Sequence, residues 1–84
     1  MVYYLIMCRS LTYAQRTARV LERAGIGARV MRAPSSVSPE GCNYCVRIGE
    51  KYLPECLTVL KGEGLPPKRI YVHDGSGDLR EVGA

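Results

Sequence analysis

Two amphipathic segments, each followed by a glycine, divide this sequence into blocks of strand and helix. Apolar residues recur in both segments at spacings of three and four, the period of a helix with one buried face. They are Leu11, Ala14, Ala18 and Leu21 in the first segment and Leu53, Cys56, Leu57 and Leu60 in the second. Gly25 and Gly64 are expected to end these helices, because glycine adopts the left-handed conformation without steric cost.

The starts of both helices are also marked in the sequence. Ser10 or Thr12 can cap the first helix by accepting a hydrogen bond from a backbone N–H of its first turn. Proline is tolerated only in the first turn of a helix. Pro54 therefore predicts that the second helix begins at Lys51 or Leu53.

Four further segments have the composition of strands, at residues 3–8, 27–33, 44–48 and 68–73. The first is apolar throughout, which is typical of a central strand, and the second is half polar, which suits an edge strand. In the third, Tyr44, Val46 and Ile48 alternate with Cys45 and Arg47. Because the apolar set is expected to face the helices, Cys45 and Arg47 are predicted to lie on the open face of the sheet.

The order strand, helix, strand, strand, helix, strand predicts an α+β ferredoxin-like βαββαβ fold. In that fold a four-stranded antiparallel sheet has the order 4-1-3-2, and both helices cover one face. We expect residues 1–73 to form this single domain. Residues 74–84 carry little apolar content, so they are expected to form a flexible C-terminal tail.

A C-x-x-C pair, Cys42 and Cys45, follows a loop rich in Pro, Ser and Gly and directly precedes the third strand. In the predicted topology the first strand ends, the first helix begins and the third strand begins at one edge of the sheet. Cys8, Ser10 and both cysteines of the pair are therefore expected to gather there. The N–H groups of the helix and the charge of Arg9 would favour a thiolate at this edge.

Other kinds of cysteine site fit the pattern less well. The last strand places His73 at the far edge of the sheet, and Cys56 falls on the buried stripe of the second helix. A structural zinc site needs four close ligands, so neither a metal nor any other cofactor is expected. Thioredoxin chemistry is disfavoured because its C-x-x-C opens a helix, whereas this one precedes a strand.

Charge is distributed unevenly along the chain. The net charge is +4, and seven of the eight acidic residues lie at or beyond Glu40, so the first half is basic. Arg16, Arg19 and Arg23 fall on one stripe of the first helix. We interpret that stripe as a solvated helix face rather than a nucleic-acid-binding surface.

The apolar opening segment has neither the length of a membrane span nor the basic flank of a signal peptide. No membrane association is therefore expected, and we expect a cytoplasmic location with reduced thiols.

Several segments resemble a known family, described as putative selenium/sulfur carrier protein-like, over about residues 3–73. They are Ser10, the run 21–26, the pair 33–34 and the run 42–47. The family's most specific motif resembles Ser-Cys-Gly-Leu-Ala-Leu-Arg. The corresponding run here begins at Gly41, and Cys42 and Arg47 match the motif. Asn43 stands where Gly is usual, and Cys45 stands where Ala is usual.

The resemblance implies a carrier rather than a catalyst, with Cys42 holding sulfur or selenium as a persulfide or selenopersulfide. It implies protein partners that donate and accept the chalcogen. Cys45, or failing that Cys8, would be the resolving thiol that releases it. Arg47 would stabilise the outgoing anion or mark a docking surface.

Two alternatives remain open from the sequence. The chain could be a non-enzymatic interaction or regulatory module that forms a homodimer through an apolar open sheet face. It could also be a thiol oxidoreductase in which Cys42 and Cys45 cycle between thiol and disulfide.

Overall fold

Strand β1 (Tyr3–Cys8) lies in the middle of a five-stranded antiparallel sheet in the computed structural model, which describes residues 2–34 and 44–82. The other elements are α1 (Leu11–Arg23), β2 (Ala28–Arg32), β3 (Tyr44–Gly49), α2 (Leu53–Gly62), β4 (Ile70–His73) and β5 (Leu79–Val82). A short 3₁₀ turn at Glu50–Tyr52 precedes α2. In the described part of the chain, no helix is long and apolar enough to cross a membrane.

The strands follow the order β2-β3-β1-β4-β5, and each neighbouring pair is antiparallel. The α+β class and the order of the first four strands agree with the prediction. The predicted number of four strands is wrong, because β5 pairs with β4 and forms the outer edge of the sheet. The architecture is therefore an α+β fold with two helices and a five-stranded antiparallel sheet.

A tight turn between β4 and β5 makes the fifth strand possible. Gly75 and Gly77 have φ angles of 91° and 96°, a left-handed conformation that favours glycine. The Asp74 carboxylate accepts a hydrogen bond from the backbone N–H of Ser76 at 3.0 Å. An Asp side chain that bonds to the backbone two residues later stabilises such a turn. The run of Gly, Ser and Asp, from which a tail was predicted, therefore forms the turn of a β-hairpin.

The residues after this turn are anchored on both faces of the sheet. Leu79 packs against the cluster on the open face, and Val82 packs against the core under the helices. The predicted flexible tail from residue 74 onward is therefore wrong for residues 79–82. Two apolar side chains and pairing with the edge of β4 are sufficient to hold these residues in a strand, although the segment has a low apolar content.

The helix termini agree with the sequence patterns. Ser10 is the N-cap of α1, and its hydroxyl accepts a hydrogen bond from the backbone N–H of Tyr13 at 3.1 Å. Pro54 lies in the first turn of α2. Gly25 and Gly64, with φ angles of 84° and 73°, follow the two helices as expected.

The main core lies between the sheet and both helices, so the helices cover one face as predicted. Its buried residues come from every layer and are Ile6, Cys8, Ala14, Ala18, Val20, Leu21, Ile26, Val46, Ile48, Cys56, Leu60, Leu65 and Ile70. Leu11 and Leu57 were predicted on the buried helix stripes, but they are 41% and 36% exposed.

A second, smaller cluster lies on the opposite face of the sheet. Leu5, Met7 and Cys45 are buried there although no helix covers this face. The half-buried side chains that pack against them are Tyr3, Met31, Ala33, Tyr71 and Leu79. The open face therefore contains its own buried cluster, which we call the open-face cluster.

Thr17 provides a test of the main core. Its side chain is 1% exposed, and its hydroxyl has no hydrogen-bond partner among the described residues. Thr17→Val keeps the shape and removes the unsatisfied group, so it is expected to raise the free energy of unfolding by about 1 kcal/mol. Chemical denaturation measures this change.

Thr58→Val is the matched control, because the Thr58 hydroxyl is exposed and donates to the Pro54 carbonyl at 3.2 Å. We expect it to change the stability by less than about 0.5 kcal/mol. A loss of stability in Thr17→Val would show that the hydroxyl is satisfied in solution.

Candidate functional site

One edge of the sheet brings together the end of β1, the start of α1 and the start of β3. Cys8 is the register partner of Tyr44, and Ser10 caps α1 immediately after β1. The predicted convergence of these backbone segments is confirmed. Cys42, the central residue of the predicted site, lies outside the described residues, two positions before Tyr44 in the sequence.

Cys8 points toward the helices and forms part of the main core. Its side chain is 1% exposed, and its thiol donates a hydrogen bond to the Ile6 carbonyl, with a distance of 3.6 Å between Sγ and O. In this packing the sulfur is shielded from solvent.

Cys45 lies on the opposite face, as the alternation in β3 predicted. It belongs to the open-face cluster and is 0% exposed. Burial raises the pKa of the Cys45 thiol from 9.0 to about 11, because the thiolate would lose its hydration. Cys8 and Cys45 therefore lie close in the strand register, but their side chains are on opposite faces of the sheet.

Arg9 and Ser10 are both exposed at the same edge. The Arg9 guanidinium lies 5.0 Å from the centre of the Tyr13 ring, which is a cation–π distance. The Ser10 hydroxyl is occupied by its cap on α1. The Arg9 guanidinium therefore lies near the start of α1, and the Ser10 hydroxyl caps that helix.

Arg47 lies on the open face, as predicted, and takes part in a stack with two rings. Its guanidinium is 4.1 Å from the centre of the Tyr3 ring. The His73 ring stacks on Tyr3 with centroids 4.7 Å apart and an angle of 4° between the planes. Because Arg47 and His73 come from strands on either side of β1, they approach Tyr3 from opposite sides. His73 thus lies at the far edge, as predicted, and Arg47 is half-buried rather than freely exposed.

Sequence reasoning missed a row of sulfur atoms on the open face. The strand register places Met7 opposite Cys45 and Cys45 opposite Met31, across three neighbouring strands. The alternation of residues within each strand could have indicated that all three side chains lie on the open face. Only the register between strands, which a single sequence does not specify, shows that the three residues lie in one row.

The basic stripe of α1 borders a groove between this helix and the end of α2. Arg16, Arg19 and Arg23 are exposed and line a cavity of about 460 Å³ with Glu63 on its rim. None of the three arginines forms an ion pair with a carboxylate of the described residues. The structure therefore places all three arginines on one exposed face of α1.

Within residues 2–34 and 44–82, no three His, Cys, Asp or Glu side chains are grouped closely enough to hold a metal ion. The Nδ1 atom of His73 is engaged in a hydrogen bond, which it accepts from the Gly75 backbone N–H at 3.2 Å. The described part of the chain therefore offers no conventional zinc site.

Comparison with protein families gives one match. The profile of the family described as "Putative Se/S carrier protein-like" matches residues 3–72, which include α1 and α2, strands β1 to β3 and all of β4 except His73. The chain belongs to this family. No curated protein and no solved structure matches it. The family membership connects the fold with a carrier of selenium or sulfur, and it implies protein partners.

The buried thiols of this carrier-like domain make its stability depend on pH. Burial raises the pKa of Cys56 from 9.0 to about 11. Ionisation therefore favours the unfolded chain, whose thiol titrates first. The contribution of Cys56 to stability is complete below pH 9 and is lost as the pH rises toward 11.

The free energy of unfolding of the wild type is compared with that of Cys56→Ala. We expect the excess stability of the wild type to shrink as the pH rises from 9 toward 11. Urea denaturation at several pH values measures it, and taking the difference cancels the titration of lysines and tyrosines. A difference that grows with pH would show that the Cys56 thiolate is stabilised in the folded protein.

Proposed function

We propose that this protein carries sulfur or selenium on Cys42 and delivers it to a partner protein. Its family membership over residues 3–72 is the observation that carries the proposal. The burial of the other thiols supports the choice of residue. Cys8, Cys45 and Cys56 are at most 1% exposed, and a carrier thiol has to meet a donor and an acceptor. Of the four cysteines, these three are thus poorly suited to accept a chalcogen, which leaves Cys42.

The transfer needs no cofactor. The Cys42 thiolate attacks the outer sulfur of a persulfide on the donor protein, the S–S bond of the donor breaks, and the donor cysteine leaves as a thiolate. Cys42 then holds the persulfide. A thiolate of the acceptor attacks the outer sulfur in the same way, and Cys42 leaves as a thiolate. The same exchange moves selenium from a selenopersulfide.

The edge at which β1 ends supports this chemistry electrostatically. The amide groups at the start of α1 and the guanidinium of Arg9 place positive charge near the first residues of β3. Positive charge favours a thiolate and the anionic persulfide formed on it. Arg47 lies further along β3 on the open face, where it is proposed to stabilise the outgoing anion or contact a partner protein.

Cys45 and Cys8 are the proposed resolving thiols. Both are buried, so an attack on a chalcogen at Cys42 needs local opening of β1 or β3. Release to a thiol of the acceptor protein is therefore expected to be faster than release by an internal disulfide.

The same burial weighs against the oxidoreductase alternative. A cycling C-x-x-C pair must exchange both sulfurs with a substrate, whereas Cys45 is fully buried and burial raises its pKa to about 11. A carrier needs only one accessible thiol. The proposal includes a cytoplasmic location, because the mechanism requires reduced cysteines.

We expect incubation with a cysteine desulfurase and cysteine to add the mass of one sulfur atom to the protein. With selenocysteine as the source, the added mass is that of one selenium atom. Cys42→Ser is expected to abolish the adduct, because the accepting thiolate is gone. Mass spectrometry of the intact protein, followed by peptide mapping, measures both results.

Two further variants separate the roles of the other thiols. Cys45→Ser is expected to leave the adduct intact and to slow its internal release. Cys56→Ser is the matched control, since Cys56 is equally buried but belongs to the core under α2, so only stability should fall. An adduct of equal size on Cys42→Ser would place the chemistry on another residue and refute the assignment.

A homodimer through the open sheet face is the second part of this proposal. The large apolar residues that are exposed in the described part, Leu11 and Leu57, lie on the helices instead. The open face still offers half-buried Tyr71, Met31 and Leu79 around its cluster. Sedimentation equilibrium at micromolar concentration is expected to give a dimer that Tyr71→Glu dissociates. A monomer at these concentrations would contradict the dimer and leave the carrier proposal unaffected.

A further inference from the structure

Three sulfur-bearing side chains lie in one cross-strand row on the open face. Met31 of β2, Cys45 of β3 and Met7 of β1 are consecutive register partners, and Cys45 is the middle residue. Met7 and Cys45 are buried in the open-face cluster, and half-buried Met31 packs against it. Of the three methionines in the sequence, two belong to this row.

The three side chains of this row differ in length. Neighbouring strands are about 4.8 Å apart, so the backbones of the two methionines lie at that distance on either side of the Cys45 backbone. The cysteine side chain is short and keeps its sulfur close to the sheet. Methionine is long and has three rotatable bonds, so each thioether can bend over the central sulfur. Three sulfur donors can thereby converge on one point just above Cys45.

We propose that Met7, Cys45 and Met31 form a binding site for a soft monovalent metal ion, Cu(I). One thiolate and two thioethers are the soft donor set that Cu(I) prefers. Zinc is expected to bind poorly, since its protein sites use thiolates, imidazoles and carboxylates rather than thioethers. The row contains no oxygen donor for a hard cation such as Mg²⁺ or Ca²⁺.

The charges balance without a redox step. Cu(I) binds the Cys45 sulfur as its S–H bond breaks, and the proton passes to solvent. The thiolate and the metal ion together are neutral, and the thioethers add no charge. A neutral complex suits the apolar surroundings of the cluster, where Leu5 is 1% exposed. Half-buried Met31 provides the side from which an ion can approach a protomer before a second copy covers the open face.

The next row on the same face contributes positive charge. Arg29 of β2 is opposite Arg47 of β3, one step along the strands from the sulfur row. Both guanidinium groups add positive charge to this face, one row away from the three sulfur-bearing side chains. They also oppose a second cation on this face, so the site is expected to bind one equivalent.

Cys56 provides an internal comparison. It is buried to the same extent as Cys45, and burial raises its pKa to the same value of about 11. It lies in the main core, and no methionine belongs to that cluster or packs against it. A buried thiol alone is therefore not the basis of the proposal. The two neighbouring thioethers distinguish Cys45.

The test uses the full-length Cys42→Ser variant, so that the thiols that remain are the three described by the structure. Anaerobic titration with Cu(I) against a chromogenic chelator is expected to show one bound equivalent. Adding Cys45→Ala or Met31→Leu is expected to weaken binding by at least about tenfold, because a donor is lost. Adding Cys56→Ala is expected to leave the affinity unchanged. Equal losses for Cys45→Ala and Cys56→Ala, or no loss for either, would overturn the proposal.

A spectroscopic measurement avoids dependence on the stability of the variants. Selenomethionine is incorporated into the Cys42→Ser protein, which keeps Cys45, and the copper-bound sample is measured by X-ray absorption at the copper edge. The expected result is scattering from selenium in addition to sulfur. The double variant Met7→Leu, Met31→Leu retains only Met1 and is expected to lose the selenium signal. A spectrum without selenium in the first sample, or an unchanged one in the second, would refute the site.

Discussion

The rest of the structure depends on the pairing of β1 with a strand on each side. β3 and β4 both form hydrogen bonds with it, and β2 and β5 are attached through these two. Alternate side chains of β1 supply both cores, since Ile6 and Cys8 face the helices while Leu5 and Met7 face the other side. A strand that is apolar on both faces needs cover on both. The helices cover one face, and long side chains from neighbouring strands cover the other.

Much of this architecture could be predicted because local physics decides it. Ser10 caps α1, Gly25 ends it, and the alternation in β3 places Cys45 away from the helices. Each of these features depends on a few neighbouring residues. β5 was missed because the turn between β4 and β5 and a disordered tail share the same residues, Gly, Ser and Asp. The difference depends on an available strand edge, which is a property of the assembled sheet.

The environment of the thiols was only partly predictable, for a similar reason. The sequence predicted that Cys45 lies on the open face of the sheet, but it did not indicate whether the side chain is buried there. Its burial results from the cluster formed with Met7, Leu5 and Met31, and these contacts depend on the register of three strands. The stack of Arg47 on Tyr3 also crosses between strands. The face of a residue follows from its own strand, whereas burial and partners follow from the neighbouring strands.

The two cysteines of the C-x-x-C pair are best understood as residues with separate roles. Cys45 is fixed in β3, and its side chain belongs to the open-face cluster. In the motif that the sequence resembles, alanine is usual at this position, so the proposed acceptance of a chalcogen would not depend on a thiol there. Acceptance of the chalcogen does not need the Cys45 thiol, and two thioethers flank it, so it is available for a different ligand when it does not act in internal release. The burial of Cys45 thus favours our proposal of two separate sites, chalcogen transfer at Cys42 and a soft metal ion at Cys45, over a single redox pair.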